Sequence, residues 1–242
     1  MTQITRRSLL LLGSVAAMAV GVFAYAQTAP APTPETPAAT APAPAPSDGA
    51  AAPAPAAEMP AIPSDPATAL AMPSPLGDMS QGPDDAKVTI IEYASATCPH
   101  CGEFARDALK QIKTEYVETG KVKFIFREFP LDDVALAAHM MTRCAPKEKF
   151  FPLLDAIYAT QGEWIKDPLA GLKGIAKQAG MTEDEFMACL KKEDIAKGIM
   201  VTREAGSKAG VQGVPAVFIN GVLFDQERTM ENFRKKIDPL LK

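Results

Sequence analysis

Two cysteines separated by a proline and a histidine are the residues best suited to chemistry: Cys98-Pro99-His100-Cys101. Thiols at this spacing can form a disulfide, and attack by the thiolate of another cysteine can open it again. A disulfide closing so short a loop cross-links little chain and stabilises a fold only weakly. The motif therefore predicts a redox-active dithiol in preference to an inert structural bridge.

Half of a zinc site is the main chemical alternative for this pair. Structural zinc takes four protein ligands, whereas the chain has only two histidines, His100 and His139. The other two cysteines, Cys144 and Cys189, are expected to be engaged elsewhere. We therefore expect neither a metal nor another cofactor.

A strand and a helix should position the pair. The β-branched run from 87 to 93 predicts a buried strand, and a helical stretch follows from about 99 to 119. Cys98 would then lie near the helix N-cap, with Pro99 at the first helical position, where its missing N–H costs nothing. Free amides, the helix dipole and a protonated His100 would stabilise a Cys98 thiolate.

A stabilised thiolate assigns different roles to the two sulfurs. It is a good leaving group and favours the reduced form, so the disulfide should be oxidising. Cys98 is expected to be the exposed attacking and leaving sulfur. Cys101, one helical turn further along, is expected to be the less exposed resolving thiol.

Glu92 lies in the predicted strand, six positions before Cys98, among apolar residues. A buried carboxylate is costly unless it is paired or used. We expect it to accept and donate a proton for Cys101, with a raised pKa. The alternative is an acid on the solvent face of the strand.

The rest of the domain alternates strands and helices. A second strand at 121–127 follows the first helix, and such a βαβ unit predicts parallel neighbours. Residues 132–209 carry repeated helix starts and stops and predict a helical insertion. Asn220-Gly221 between two apolar runs predicts a β-hairpin, and a helix closes the chain from 229 to 241.

Val214-Pro215 opens the first strand of that hairpin. Proline cannot donate to a strand ladder, so its position indicates either a sheet edge or a cis peptide bond. The residues alone favour an ordinary trans bond.

The amino terminus predicts export. Residues 1–26 combine Arg6 and Arg7, an apolar run at 9–22 and a small-x-small site ending at Ala26, a pattern typical of a cleaved signal peptide. Retention as a membrane anchor is the alternative, but the run is interrupted and short. The paired arginines resemble a twin-arginine signal, although Sec export is the default.

A proline-rich stretch separates this signal from the domain. Residues 27–75 hold 14 of the chain's 22 prolines, with much alanine, and predict a disordered linker. One domain at 76–242 remains, long enough for a substantial core. The net charge is −4 with both signs interleaved, which argues against nucleic acid as a partner.

The domain resembles the DsbA family of periplasmic thiol:disulfide oxidoreductases within the thioredoxin superfamily. The resemblance covers about 75–242 and rests on Glu92, the Cys-Pro-His-Cys motif, the helical insertion and Val214-Pro215, in that order. It implies a thioredoxin fold with the insertion between its βαβ and ββα halves. It also implies that Val214-Pro215 is a cis-proline loop that binds substrate backbone, and that Glu92 is the family's buried acid. The family's strongly oxidising character is carried over from the resemblance.

Partners and location follow from the same resemblance. Substrates would be newly exported, unfolded proteins with free thiols, and a membrane-bound, quinone-linked partner of the DsbB kind would restore the disulfide. The protein is expected in the periplasm as a monomer. There, Cys144 and Cys189 are expected to form a structural disulfide between two insert helices, with two buried free thiols as the alternative.

Two other functions remain open. A disulfide isomerase or reductase would need the pair kept reduced, and in the DsbC-like case an added dimerisation domain. A non-enzymatic chaperone or copper-binding module could use the same cleft, since cysteine and histidine are ligands that copper accepts.

Overall fold

The computed structural model describes residues 59–242, so the predicted signal peptide and most of the predicted linker lie outside the described residues. Five strands form one sheet in the order β1-β3-β2-β4-β5. Their bounds are Met79–Gln81, Val88–Ala94, Val122–Glu128, Ala216–Ile219 and Val222–Leu223. Between residues 59 and 242, no helix combines the length and apolar character that a membrane span requires.

Strand pairing confirms the predicted fold class. β2 pairs in parallel with β3, in the register Val88 to Val122, and antiparallel with β4 on its other side. β4 and β5 form the predicted hairpin around Asn220 and Gly221, whose φ angles of 46° and 82° are those such a tight turn requires. β2 is thus the central strand, and the predicted redox pair follows directly after it.

The long helix predicted after β2 is interrupted. Helix α2 spans Pro99–Arg106 and α3 spans Ala108–Ile112, with Asp107 between them at a non-helical ψ of −99°. A π-helical turn, Lys113–Val117, continues α3. The expectation of one continuous helix from about 99 to 119 was therefore wrong, because the helix breaks at Asp107. The break lets the two halves pack differently, α2 against the insertion and α3 against the last helix.

Six helices form the predicted insertion between β3 and β4. The apolar faces of the first five build a second core of buried side chains, including Met141, Ile157 and Phe186, beside the core under the sheet, while the sixth packs Ile199 into a smaller cluster with Met140 and Cys189. The helices are α4 Asp133–Cys144, α5 Phe150–Ala159, α6 Gln161–Trp164, α7 Pro168–Gln178, α8 Glu183–Cys189 and α9 Glu193–Lys208.

Cys144 and Cys189 are joined by a disulfide in this structure, with their Cα atoms 6.0 Å apart. Each is the last residue of its helix, α4 and α8 respectively. The bridge therefore joins the carboxyl ends of α4 and α8.

The chain folds earlier than the predicted linker boundary at 75. Helix α1, Pro66–Ala71, has Asp65 as its N-cap, and Leu70 is only 6 % exposed. The Arg127 guanidinium donates to the Leu70 carbonyl at 2.6 Å. Proline and alanine dominate the local composition, but proline is favourable at the first helical position, and one leucine reaches the core. The predicted linker therefore extended too far along the chain, since Pro66–Ala71 form a helix.

A buried ion pair holds the start of the domain to the insertion. Glu128, fully buried at the end of β3, receives two hydrogen bonds from the Arg143 guanidinium of α4, one of them 2.9 Å from Nη2 to Oε2. Arg143 also donates to the carbonyl of Gly77 at 2.7 Å. One side chain thus links the sheet, the insertion and the segment before β1.

We expect replacement of Arg143 by methionine to lower the free energy of unfolding by about 3 to 5 kcal/mol, because Glu128 would be left buried without its partner. Denaturant unfolding of the oxidised protein measures this change. The matched control is Lys197→Met in the exposed Lys197–Glu193 pair, which should cost less than about 1 kcal/mol. Equal losses in both variants would contradict the structural role given to the buried pair.

Final helix and candidate redox site

The carboxyl end of β2 and the first turn of α2 present the two thiols. Cys98 is the N-cap of α2, and its own N–H donates to the Ser95 carbonyl at 3.2 Å, which closes a tight turn before the helix. The last α-helix, α10 Met230–Ile237, contacts α2 through Phe233 and Phe104, whose ring centroids are 5.6 Å apart at an interplanar angle of 33°. Both thiols are reduced. Cys98 is 6 % exposed and Cys101 is completely buried.

This burial refines the sequence expectation. Cys98 is the more accessible sulfur, as predicted, but it is largely covered and cannot be called exposed. Its Sγ donates to the carbonyl oxygen of Val214 at 3.4 Å. The Val214 carbonyl therefore lies directly against this sulfur.

The surroundings of Cys98 favour its thiolate. A hydrogen bond from the Cys101 thiol, together with the backbone amides of Cys101 and His100, lowers the pKa of Cys98 to about 6, although burial opposes the shift. Positive charge on His100 adds a smaller contribution. The amides point at the sulfur because it lies at the amino end of α2.

Cys101 has the opposite character. Burial is the main cause that raises the pKa of the Cys101 thiol far above its ordinary value, and the neighbouring Cys98 adds to this shift. Two sulfurs on one helical turn thus differ strongly in acidity. The first is ready to leave as a thiolate, whereas the second needs a proton when it is released.

Glu92 is buried beneath this pair. It is 1 % exposed, and neither carboxyl oxygen has a hydrogen-bond partner among residues 59–242. Burial raises the pKa of Glu92 to about 8, against the opposing positive charges of Lys113 and Arg228. The alternative of an acid on the solvent face is therefore wrong. A carboxyl group with this pKa can both hold and release a proton near neutral pH.

His100 points away from the core. Its side chain is 77 % exposed, and Nδ1 lies 3.1 Å from the Glu103 carboxylate. It acts on Cys98 through its backbone amide before its charge. The structure therefore gives the ring a smaller part in stabilising the thiolate than the sequence analysis assigned to it.

The Val214-Pro215 bond is cis, so the trans bond favoured by the residues alone was wrong, and the resemblance pointed to the observed form. Arg228 donates from Nη2 to the Pro215 carbonyl at 2.6 Å. The loop is thus attached to the segment between β5 and α10. Arg228 was missed by sequence reasoning, since nothing in its local pattern connects it to a loop thirteen positions earlier.

Two insertion side chains also contact the site and were missed. His139, considered only as a metal ligand, accepts a hydrogen bond from the Ala96 amide at its Nε2, 3.2 Å away. Gln161 donates to the carbonyls of Ala96 and Cys98. A glutamine at the start of a short helix gives no sequence signal for such a contact.

The geometry defines the class of protein. A dithiol at the amino end of a helix, with one acidic and one buried sulfur, follows the central strand of the sheet and faces a cis-proline loop. This arrangement supports thiol–disulfide exchange.

Comparison with known proteins agrees. Residues 75–239 match the family model described as Thioredoxin, and the chain belongs to this family. It is 31 % identical over 173 residues to a Bacillus cereus protein named disulfide bond formation protein D, covering 67 % of this chain and 78 % of that one. A Rickettsia bellii protein named as a protein-disulfide oxidoreductase is 29 % identical over 175 residues, covering 66 % of this chain and 68 % of the relative.

Solved structures show the same architecture. The α-DsbA1 protein of Wolbachia pipientis superposes with a TM-score of 0.65 at 31 % identity, covering 71 % of this chain and 94 % of that one. BdbD of Bacillus subtilis, at 22 % identity, shares the fold with a TM-score of 0.62, covering 70 % of this chain and 95 % of its own. The protein is a thiol:disulfide oxidoreductase of the DsbA type.

We expect the thiolate absorbance of the reduced protein at 240 nm to titrate with a midpoint of about 6, the pKa of Cys98. Because this pKa is depressed, the thiolate stabilises the reduced fold fully above the ordinary thiol pKa, and that stabilisation is lost as pH falls through 6. Cys98→Ser should abolish the transition. A midpoint near 9 would show that neither the Cys101 thiol nor the helix amides stabilise this thiolate.

Glu92→Gln should make the protein more resistant to unfolding at alkaline pH. The raised pKa of Glu92 means that the fold loses stability as pH rises from about 4.5 to about 8. The glutamine variant never ionises, so its advantage over the natural protein should grow across this interval to a few kcal/mol. Denaturant unfolding at several pH values measures this, with exposed Glu118→Gln as the control. A pH-independent difference for Glu92→Gln would refute its burial as an acid.

Proposed function

We propose that the protein donates its Cys98–Cys101 disulfide to cysteine pairs of newly exported, unfolded proteins. The observation that carries this proposal is the asymmetry of the two sulfurs, one with a pKa lowered to about 6 and one buried with a raised pKa. Stabilising the reduced form through the Cys98 thiolate makes the disulfide easier to give away.

The exchange takes place in two displacements. A substrate thiolate attacks the Cys98 sulfur, forming a mixed disulfide and breaking the bond to Cys101, which leaves and takes a proton from Glu92. The second substrate thiolate then attacks its neighbour's sulfur in the mixed disulfide and expels the Cys98 thiolate. The substrate is oxidised to a disulfide and the enzyme pair is reduced by two electrons.

Glu92 suits the buried half of this reaction. The leaving Cys101 sulfur is buried, with no exposed surface of its own, so water cannot supply its proton directly. A neighbouring carboxyl group with a pKa of about 8 carries a proton at neutral pH and can take it back when Cys101 must become a nucleophile.

Val214 and Pro215 would hold the substrate. The Val214 carbonyl accepts from the Cys98 thiol in this reduced structure, whereas Cys98 has no hydrogen to donate when it is part of a disulfide or a mixed disulfide. The oxygen is then available to a substrate backbone N–H beside the attacked cysteine. Such a contact uses main-chain groups and supports many sequences.

The wider setting follows from the DsbA-type relatives. Reoxidation of Cys98 and Cys101 would fall to a membrane-bound, quinone-linked partner of the DsbB type. We place the protein in the periplasm as a monomer, exported by a signal peptide cleaved near Ala26, with the following proline-rich stretch as a spacer.

A trapping experiment tests the proposal. Cys101→Ser, first converted at Cys98 to the mixed disulfide with glutathione by oxidised glutathione, should pass to a reduced, unfolded polypeptide with one cysteine and release glutathione. The resulting mixed disulfide should accumulate, because no second thiol displaces Cys98, while Cys98→Ser treated in the same way should form none. Non-reducing electrophoresis measures both. The natural protein equilibrated with glutathione should have a potential closer to the family's value of about −120 mV than to the thioredoxin value of about −270 mV. A thioredoxin-like potential would overturn disulfide donation and favour a reductase or isomerase.

A further inference from the structure

The insertion grips the turn that carries the first sulfur. Residues 95–98, here called the active-site turn, lie between β2 and α2. Both backbone polar groups of Ala96 are bonded to insertion side chains, its N–H to His139 Nε2 at 3.2 Å and its carbonyl to Gln161 Nε2 at 2.8 Å. Thr97 Oγ1 adds a 2.7 Å bond to the Asp132 carboxylate.

Gln161 makes the most direct of these contacts. The same Nε2 also donates to the carbonyl oxygen of Cys98 at 2.9 Å. Both N–H groups of the carboxamide are therefore used, and both acceptors belong to the active-site turn. Because an amide oxygen cannot donate, these two acceptors fix which way the amide faces. The side chain is 7 % exposed, so water does not compete for these bonds.

Gly102 in α2 leaves room for the oxygen end of the carboxamide. A Cβ at this position would lie 2.4 Å from Gln161 Oε1, well inside contact distance. The helix that carries both cysteines thus approaches the amide as closely as its backbone permits. Glycine at 102 and glutamine at 161 are matched in shape.

The Cys98 carbonyl links this amide to the chemistry. It accepts from Gln161 and also from the Gly102 N–H at 3.1 Å, the bond that begins α2. The amides of His100 and Cys101, which face the Cys98 sulfur, lie in the chain between Cys98 and Gly102, the two residues that this bond joins. Their aim depends on how the first turn of the helix sits on the active-site turn.

We propose that Gln161 is a positioning residue for disulfide exchange, whose carboxamide holds the active-site turn so that the first amides of α2 face the Cys98 sulfur. This inference rests on the proposed disulfide donation and extends it to the insertion. A buried glutamine that served the fold alone would stabilise both redox forms equally. A positioning residue stabilises the thiolate form more.

Replacement of Gln161 by methionine tests this directly, since methionine keeps the length of the side chain and removes the amide. We expect the midpoint of the Cys98 thiolate titration to rise. The equilibrium constant for reduction of the Cys98–Cys101 disulfide by glutathione should fall about 3- to 10-fold, the factor that corresponds to the net energy of a lost hydrogen bond. Absorbance at 240 nm and equilibration with glutathione provide the two readouts on the full purified chain.

Two further variants separate positioning from folding. Gly102→Ala should displace the same carboxamide from the other side and shift both readouts in the same direction, and it carries the test if the methionine variant does not fold. Leu172→Ala weakens the apolar core that Leu172, 2 % exposed, shares with Ala96, but it removes none of the hydrogen bonds to the active-site turn. It should lower stability and leave both redox readouts unchanged.

The outcomes divide clearly. Shifts in the Gln161 and Gly102 variants, with none in the Leu172 variant, support the proposal. Unchanged readouts in Gln161→Met, or equal shifts in Leu172→Ala, overturn it. A natural protein with an ordinary Cys98 pKa and a reducing potential would instead refute disulfide donation, a result visible before any variant is compared.

Discussion

The placement of one negative charge governs this structure. Ionising the Cys98 sulfur in a largely buried position would be unfavourable in an apolar core. The Cys101 thiol and the free amides at the amino end of α2 compensate for this cost. The same short helix buries Cys101 and keeps it protonated. One sulfur therefore carries charge readily, and the other, three positions later, does not. This difference gives the two sulfurs different roles in exchange.

The helical insertion supports the redox pair directly. A thioredoxin-like sheet alone supplies the strand, the helix and the cis-proline loop. Here the hydrogen bonds that fix the turn before the helix come from side chains of α4 and α6. Arg143 ties α4 back to Glu128 at the end of β3. The inserted helices are therefore part of the redox centre's support as well as a second core.

Sequence patterns predicted what depends on neighbours along the chain. The β-branched run, Pro99 at the first helical turn and Asn220-Gly221 each act locally, so β2, the helix start and the hairpin could be placed. Contacts between distant segments were invisible, which is why His139, Gln161 and Arg228 were missed and the cis bond was not favoured from the residues. The break at Asp107 and the early helix α1 also depend on tertiary packing, which overrode local composition.

Both edge strands of the sheet, β1 and β5, are short. β1 has three residues and β5 has two, so each edge strand has few free backbone groups with which an incoming strand could pair. Long, exposed edge strands pair with extended segments of other chains, whereas short edge strands do so poorly. Under the proposed function, a polypeptide held at the cis-proline loop for exchange would depart without being added to the sheet.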